Sequence, residues 1–204
     1  MTGVQTCALP IYAAGEAYDK VAKLVGLGYP GGPVVDRLAR AGNDKAVALP
    51  GTRLTHADRN APTLKGDLDF SFSGLKTAVL RVVRGREAAG HPVNEWTEAE
   101  VADLCASFQR VVVTVLVERA FEAARRHGAR SVGVAGGVSA NSRLRADLKA
   151  YGDARDMPTF VPRLSLSTDN AAMIAAAGLR RFRHAHVASL DFNADAALVL
   201  SSAS

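Results

Sequence analysis

The stretch Val132-Gly133-Val134-Ala135-Gly136-Gly137-Val138-Ser139-Ala140-Asn141 constrains this chain more than any other. A short apolar run, a double glycine and then Ser-Ala-Asn spell a strand, a tight turn and a helix start. Glycine lets backbone approach a bound group, and the first N–H groups of the following helix have no partner within it. That is the layout of a phosphate-binding turn. The same spelling serves as an ordinary strand-to-helix connection, and on these residues alone both readings stand.

The rest of the chain supplies context. Its 204 residues are 48% hydrophobic and 22% charged, enough for one large or two small domains with a proper core. No apolar run is long enough to span a bilayer, so no membrane is expected. Two cysteines, Cys7 and Cys105, make neither a disulfide framework nor a metal-type spacing, and a reducing cytoplasm is the expected compartment. The net charge of +5 fits a solvated arginine-rich surface or a weak footprint for nucleic acid.

Residues 1–11, MTGVQTCALPI, have neither helical nor strand period, and lack the basic start and long apolar core of a signal peptide. The string resembles the in-frame translation of a sequencing-library adapter. The expectation is an artefact at 1–11, with native coding sequence missing upstream of Tyr12.

Residues 13–25 form an expected helix with Ala14, Ala17, Val21, Leu24 and Val25 on one face. Asp19 lies on its polar side, where pairing with Lys23 is the plain role. Tyr29-Pro30-Gly31-Gly32-Pro33 is a stiff turn, either a connector or a backbone platform for a flat ligand. A short helix follows through Arg40. Strands are expected at 45–49 and 69–73, with Ser73 capping a helix over 75–83 and a loop over 85–94. Lys76 either pairs with an acid, the safer expectation, or meets a phosphate.

Thr97 and Glu100 form a capping box for the longest helix, which carries Val101, Leu104, Cys105, Phe108, Val112, Val115 and Leu116 as an apolar stripe and stops at Gly128. A helix follows Asn141, a short strand lies at 159–162, and an alanine-rich helix runs over 171–183. Asp169 at its start is a plain helix-start acid or something more. Residues 189–204 are an irregular tail. Strands alternating with helices give an α/β class, and Gly136, Gly137, Asn141 and Asp169 fall in strand-to-helix loops, where open α/β sheets bind ligands.

Four stretches, AAGEAYDKVAKLVGLGYPGGP, DLDFSFSGLKT, AGGVSAN and STDNAAMIA, together resemble the TsaD family, the catalytic subunits of tRNA threonylcarbamoyladenosine synthesis. The resemblance covers residues 12 to about 185 and implies the second lobe of an actin-like (ASKHA) ATPase fold, with the N-terminal lobe missing. It implies transfer of a threonylcarbamoyl group from threonylcarbamoyl-AMP to N6 of adenosine 37 in tRNAs reading ANN codons. Asp19 and Asn141 would contact the adenylate, Gly32 would offer backbone, Asp36 would be a further contact, and Gly136 and Gly137 would line the pocket. Asp169 would be a ligand of a divalent metal, iron or zinc. Expected partners are tRNA, the adenylate substrate and partner subunits of the transfer complex.

One departure stands out. The family's paired metal-binding histidines are spaced four apart, and His56, His91, His127, His184 and His186 offer no such pair. The chain alone is therefore expected not to catalyse transfer. A related carbamoyltransferase fits less well, since EAYDK, YPGGP and DFSFSGLKT argue against it. A non-catalytic scaffold need not keep Asp19, Asn141 and Asp169. A protease would need a dyad that the sequence does not offer.

Overall fold

The apolar stripe of the longest helix sets the architecture. The computed structural model describes residues 12–51, 68, 72–187 and 189. Among these, helices α1 (Tyr12–Leu24), α2 (Gly31–Ala39), α3 (Ser73–Ala88), α4 (Glu98–Arg126), α5 (Ser142–Asp153) and α6 (Ala171–Arg183) accompany two short strands, β1 (Val132–Gly133) and β2 (Thr159–Phe160). The chain divides into two compact units, Met1–Thr168 and Asp169–Ser204.

Helix α4 is the spine of the first unit. Leu104, Cys105, Phe108 and Val112 are fully buried, and so, nearly, are Val111, Val113 and Val117 on its other sides. Burial of each large apolar side chain stabilises the fold by roughly 1.5–3 kcal/mol. Helices α2 and α5 pack on α4, and α1 packs on α2 and α3. Tyr18 of α1 meets Phe108 edge to face at 5.1 Å. The capping box at Thr97 forms as expected: the Thr97 hydroxyl accepts from Glu100 N, and Glu100 accepts from Thr97 N.

The α/β expectation is met in coarse form only. The described residues mix helix and strand, but helix dominates. The strands pair in parallel, with Val132 opposite Thr159 and Gly133 opposite Phe160, and α5 connects them. The strand expected at 45–49 does not form. Its backbone is instead fastened to α4: Val47 N donates to Ser107 Oγ at 3.1 Å, and Asp44 O accepts from Arg110 Nε at 2.8 Å. Side chains of α4 thus replace a neighbouring strand as hydrogen-bond partners.

The expected loop over 85–94 is partly helical. Helix α3 continues to Ala88 and closes with His91 N donating to Arg86 O at 2.9 Å, and a 3₁₀ turn occupies Val93–Glu95. Ser73 is the first residue of α3, preceded by Phe72 at the cap position, so it does not cap the helix. Lys76 pairs with Glu16 at 3.4 Å. Residues 1–11, 69–71 and 190–204 lie outside the described residues.

The second unit contributes α6. Its cap is Asn170, whose Oδ1 accepts from Met173 N at 3.0 Å, one residue after the acid singled out from sequence. Helix α6 buries none of its residues.

Candidate functional site

The glycine turn is built as the sequence spells it, with one addition. Between β1 and α5 a 3₁₀ turn occupies Gly137–Ala140. Gly136, just before it, has φ 81° and ψ 176°, a backbone conformation open in practice to glycine alone. Gly136 and Gly137 are both exposed. Asn141 then caps α5, its Oδ1 accepting from Leu144 N at 2.9 Å.

Asn141 is also the centre of a buried polar network. Its Nδ2 donates to Gln109 Oε1 at 2.8 Å and to Tyr18 Oη at 3.3 Å. Gln109 Nε2 donates to Asp36 Oδ1 at 3.2 Å. The same Asp36 oxygen accepts from Ser142 N at 3.1 Å and Ser142 Oγ at 2.8 Å, while Oδ2 accepts from Arg40 Nη2 at 3.2 Å. Asp36 is 7% exposed and Asn141 8%. Burial, and then the nearby Asp36 carboxylate, push the Tyr18 phenol upward, so it stays neutral and available for hydrogen bonding. Helices α1, α2, α4 and α5 are thereby tied through one cluster, and a charge buried this way holds because its oxygens are hydrogen-bonded.

Asp19 plays a different part from the helix-surface pairing the sequence allows. Its Oδ1 accepts from Gly31 N at 2.8 Å, satisfying the first amide of α2 from the neighbouring helix. The surface pair on α1 is Lys20 with Glu16. The close approach of α1 and α2 depends on Gly31: a Cβ there would stand 2.7 Å from both Asp19 Cα and Tyr18 O. Gly32, the residue expected to face a ligand, has open space where a Cβ would point. Beside Asp19 lies a surface groove of about 560 Å³, lined also by Lys20, Lys23, Gly28 and Tyr29. Tyr29 is 85% exposed at its edge.

An ion-pair cluster lies beside the Asn141 network. Arg143, in the first turn of α5, bridges Asp44 at 2.6 Å and Asp147 at 3.2 Å. Its hydrogen bond holds the Asp44 carboxyl below the usual carboxylate range.

The sequence-derived residues of the first unit thus form two adjoining sets. Asp19 stands with the 29–32 turn. Asp36 and Asn141 share one hydrogen-bond network next to Gly136 and Gly137. Asp169 belongs to the second unit, where it is exposed. Among the described residues no group of three or more His, Cys, Asp or Glu side chains could hold a metal ion. One exposed carboxylate does not make a metal centre, so the donor set described here does not fit an iron or zinc site. Gln109 and Tyr18 are the participants that sequence reading missed. The available signal was a glutamine in the middle of the apolar run of α4. No helix among the described residues is long and apolar enough to cross a membrane.

Comparison with known proteins gives this geometry a context. A family model described as TsaD, tRNA N6-adenosine threonylcarbamoyltransferase, matches residues 10–176. Three curated relatives carry the name tRNA N6-adenosine threonylcarbamoyltransferase. The protein of Symbiobacterium thermophilum is 50% identical, over 89% of this chain and 48% of its own length. That of Acaryochloris marina is 46% identical, over 87% and 47%. That of Koribacter versatilis is 44% identical, over 92% and 55%. The chain spans about half the length of these relatives. With the family model covering most of the sequence, this chain belongs to the TsaD family of tRNA N6-adenosine threonylcarbamoyltransferases.

Proposed function

We propose that this chain forms the adenylate-facing part of an enzyme that moves a threonylcarbamoyl group from threonylcarbamoyl-AMP to N6 of adenosine 37 in tRNAs reading ANN codons. In that reaction the adenosine amine attacks the carbamoyl carbonyl, a C–N bond forms, the mixed-anhydride C–O bond breaks and AMP leaves with the displaced electron pair. The attacking amine loses its proton to solvent. The chain is the second lobe of an actin-like fold, works in the cytoplasm and meets tRNA and partner subunits there.

One observation carries the reading. The Asn141 Nδ2 to Tyr18 Oη bond, 3.3 Å, joins the EAYDK motif to the AGGVSAN motif across 123 residues of sequence. Two stretches that look like ligand-binding segments thus meet in one unit. Asp19 would accept from ribose hydroxyls, as carboxylates do well. Asp36, Gly32, Gly136 and Gly137 would complete that wall, and the groove beside Asp19 is of a size usual for small-molecule sites. A metal liganded by Asp169 would need donors beyond those described. It would supply Lewis-acid polarisation when bound.

The test has two arms. Calorimetric titration of the 204-residue chain with AMP is expected to give binding that Asp19→Ala weakens. Absence of binding would overturn the adenylate reading. The second arm incubates the chain with threonylcarbamoyl-AMP and unmodified tRNA. No transfer is expected, and measurable threonylcarbamoyl-adenosine would overturn the proposal that the chain alone is inactive.

A further inference from the structure

We infer that Gln109 is a positioning residue for the proposed adenylate site, fixing which part of the Asn141 amide is left to meet a ligand. The inference rests on that reading of Asn141. Gln109 lies in the middle of α4, 3% exposed, next to the fully buried Phe108. A side-chain amide there is costly unless both ends are bonded. Both are: Nε2 donates to Asp36 Oδ1 at 3.2 Å, and Oε1 accepts from Asn141 Nδ2 at 2.8 Å.

The direction of this chain of bonds is forced by chemistry. An ionised Asp36 can only accept. Asn141 Oδ1 already accepts from Leu144 N, so its nitrogen must face Gln109. Turning the Gln109 amide over would set its oxygen against the Asp36 carboxylate and its nitrogen against the Asn141 nitrogen. Both bonds would be lost at once. A negative charge on α2 thereby sets the amide direction on α4, and that sets the amide direction at the start of α5.

The consequence for binding is one of polarity. The two Asn141 amide hydrogens go to Gln109 and Tyr18. What remains is a lone pair on Oδ1, an acceptor. Asn141 so held suits a hydroxyl donor of a ligand, such as a ribose, and gives nothing to a phosphate oxygen. Without Gln109 the amide hydrogen it binds would be free to turn outward, and that distinction would fade.

The experiment uses the 204-residue chain with ¹⁵N-asparagine labelling. Side-chain amide exchange of Asn141 is followed by NMR, and AMP affinity by calorimetry. Gln109→Met keeps the volume and removes both bonds. Gln109→Glu keeps an acceptor for Asn141 when its other oxygen carries a proton to donate to Asp36, a form favoured at pH 5. Val112→Ala, on the same helix and outside the network, controls for lost core packing. The expected result is that Gln109→Met speeds Asn141 exchange and weakens AMP binding, each about tenfold. Gln109→Glu retains slow exchange, and Val112→Ala leaves both readouts near the parent. Equal Asn141 exchange in Gln109→Met and Val112→Ala would overturn the inference. If Gln109→Met fails to fold, Gln109→Glu decides at pH 5, and Asn141 exchange there well above that of the parent at the same pH overturns it. Should the parent chain bind no AMP, the adenylate reading falls while the exchange data still decide the role of Gln109.

Discussion

Two helix starts in the first unit meet the same physical need in different ways. Helix α2 begins at Gly31, and its first amide is satisfied from outside, by Asp19 of α1. Helix α5 begins after Asn141, which caps it and also bonds to two other helices, α1 and α4. The first start is therefore a contact between two backbones, and small size at Gly31 is what matters. The second is a polar junction, and the identity of one amide is what matters. Glycine appears at both for unlike reasons: close approach at Gly31, a backbone angle at Gly136.

Substitutions would separate the two designs. The largest effect is expected from Asn141→Ala. It removes a cap worth about 1 kcal/mol and leaves Gln109 Oε1 buried without a partner, which costs roughly 1–3 kcal/mol more. Urea denaturation should show a loss of about 2–4 kcal/mol. A loss no greater than that of a simple cap would mean the junction is not a unit.

Gly31→Ala comes next. Its Cβ would press on main-chain atoms of α1 that cannot turn aside, at a cost on the order of 1–3 kcal/mol. Gly32→Ala, with open space, should be neutral or slightly stabilising, by up to about 1 kcal/mol. Equal losses at the two glycines would refute the close-approach account. If Gly32→Ala lowers AMP affinity while stability holds, the backbone-contact role proposed for Gly32 gains direct support. Asp19→Ala should cost about 1 kcal/mol as a lost cap. Asp19→Asn, which keeps the accepting oxygen, should cost less, and a reversed order in thermal melts would sink the capping role.

The smallest effect lies outside both starts, at the capping box of α4. Bonds from the Thr97 backbone, from His91 and from the Thr97 hydroxyl lower the Glu100 carboxyl from 4.5 to about 2. A carboxyl depressed on folding adds stability that is present above its unfolded value and is lost as pH falls toward the folded one. The stability difference between the parent and Glu100→Gln should therefore be full at pH 6 and shrink between pH 4.5 and 2. A difference that stays constant over that range would rule the contribution out.

How legible each part was follows from the distance over which its bonds close. The Thr97 box closes over three residues, and its letters alone specify it. The limits of α6 and the stripe of α4 follow from helical period. The strand expected at 45–49 failed because its hydrogen-bond partners lie about 60 residues away, on Ser107 and Arg110. Nothing local distinguishes that backbone from a strand. The resemblance pointed to Asp19, Asp36 and Asn141, and each is hydrogen-bonded to a neighbouring helix. Its wiring was not, because Gln109 and Tyr18 join Asn141 across 32 and 123 residues. A resemblance of motifs names residues; it does not say which of them hold each other.

Helix α6 carries a practical consequence. Met173, Ile174, Leu179 and Phe182 are each at least half exposed, and Arg180, Arg181 and Arg183 follow at its end. Like charges at that end keep copies apart in dilute buffer. Added salt screens them, and sulfate strengthens apolar association at the same time. If α6 is as open in solution as among the described residues, the purified chain is expected to bind hydrophobic resins, precipitate early in ammonium sulfate and stay dispersed at low ionic strength.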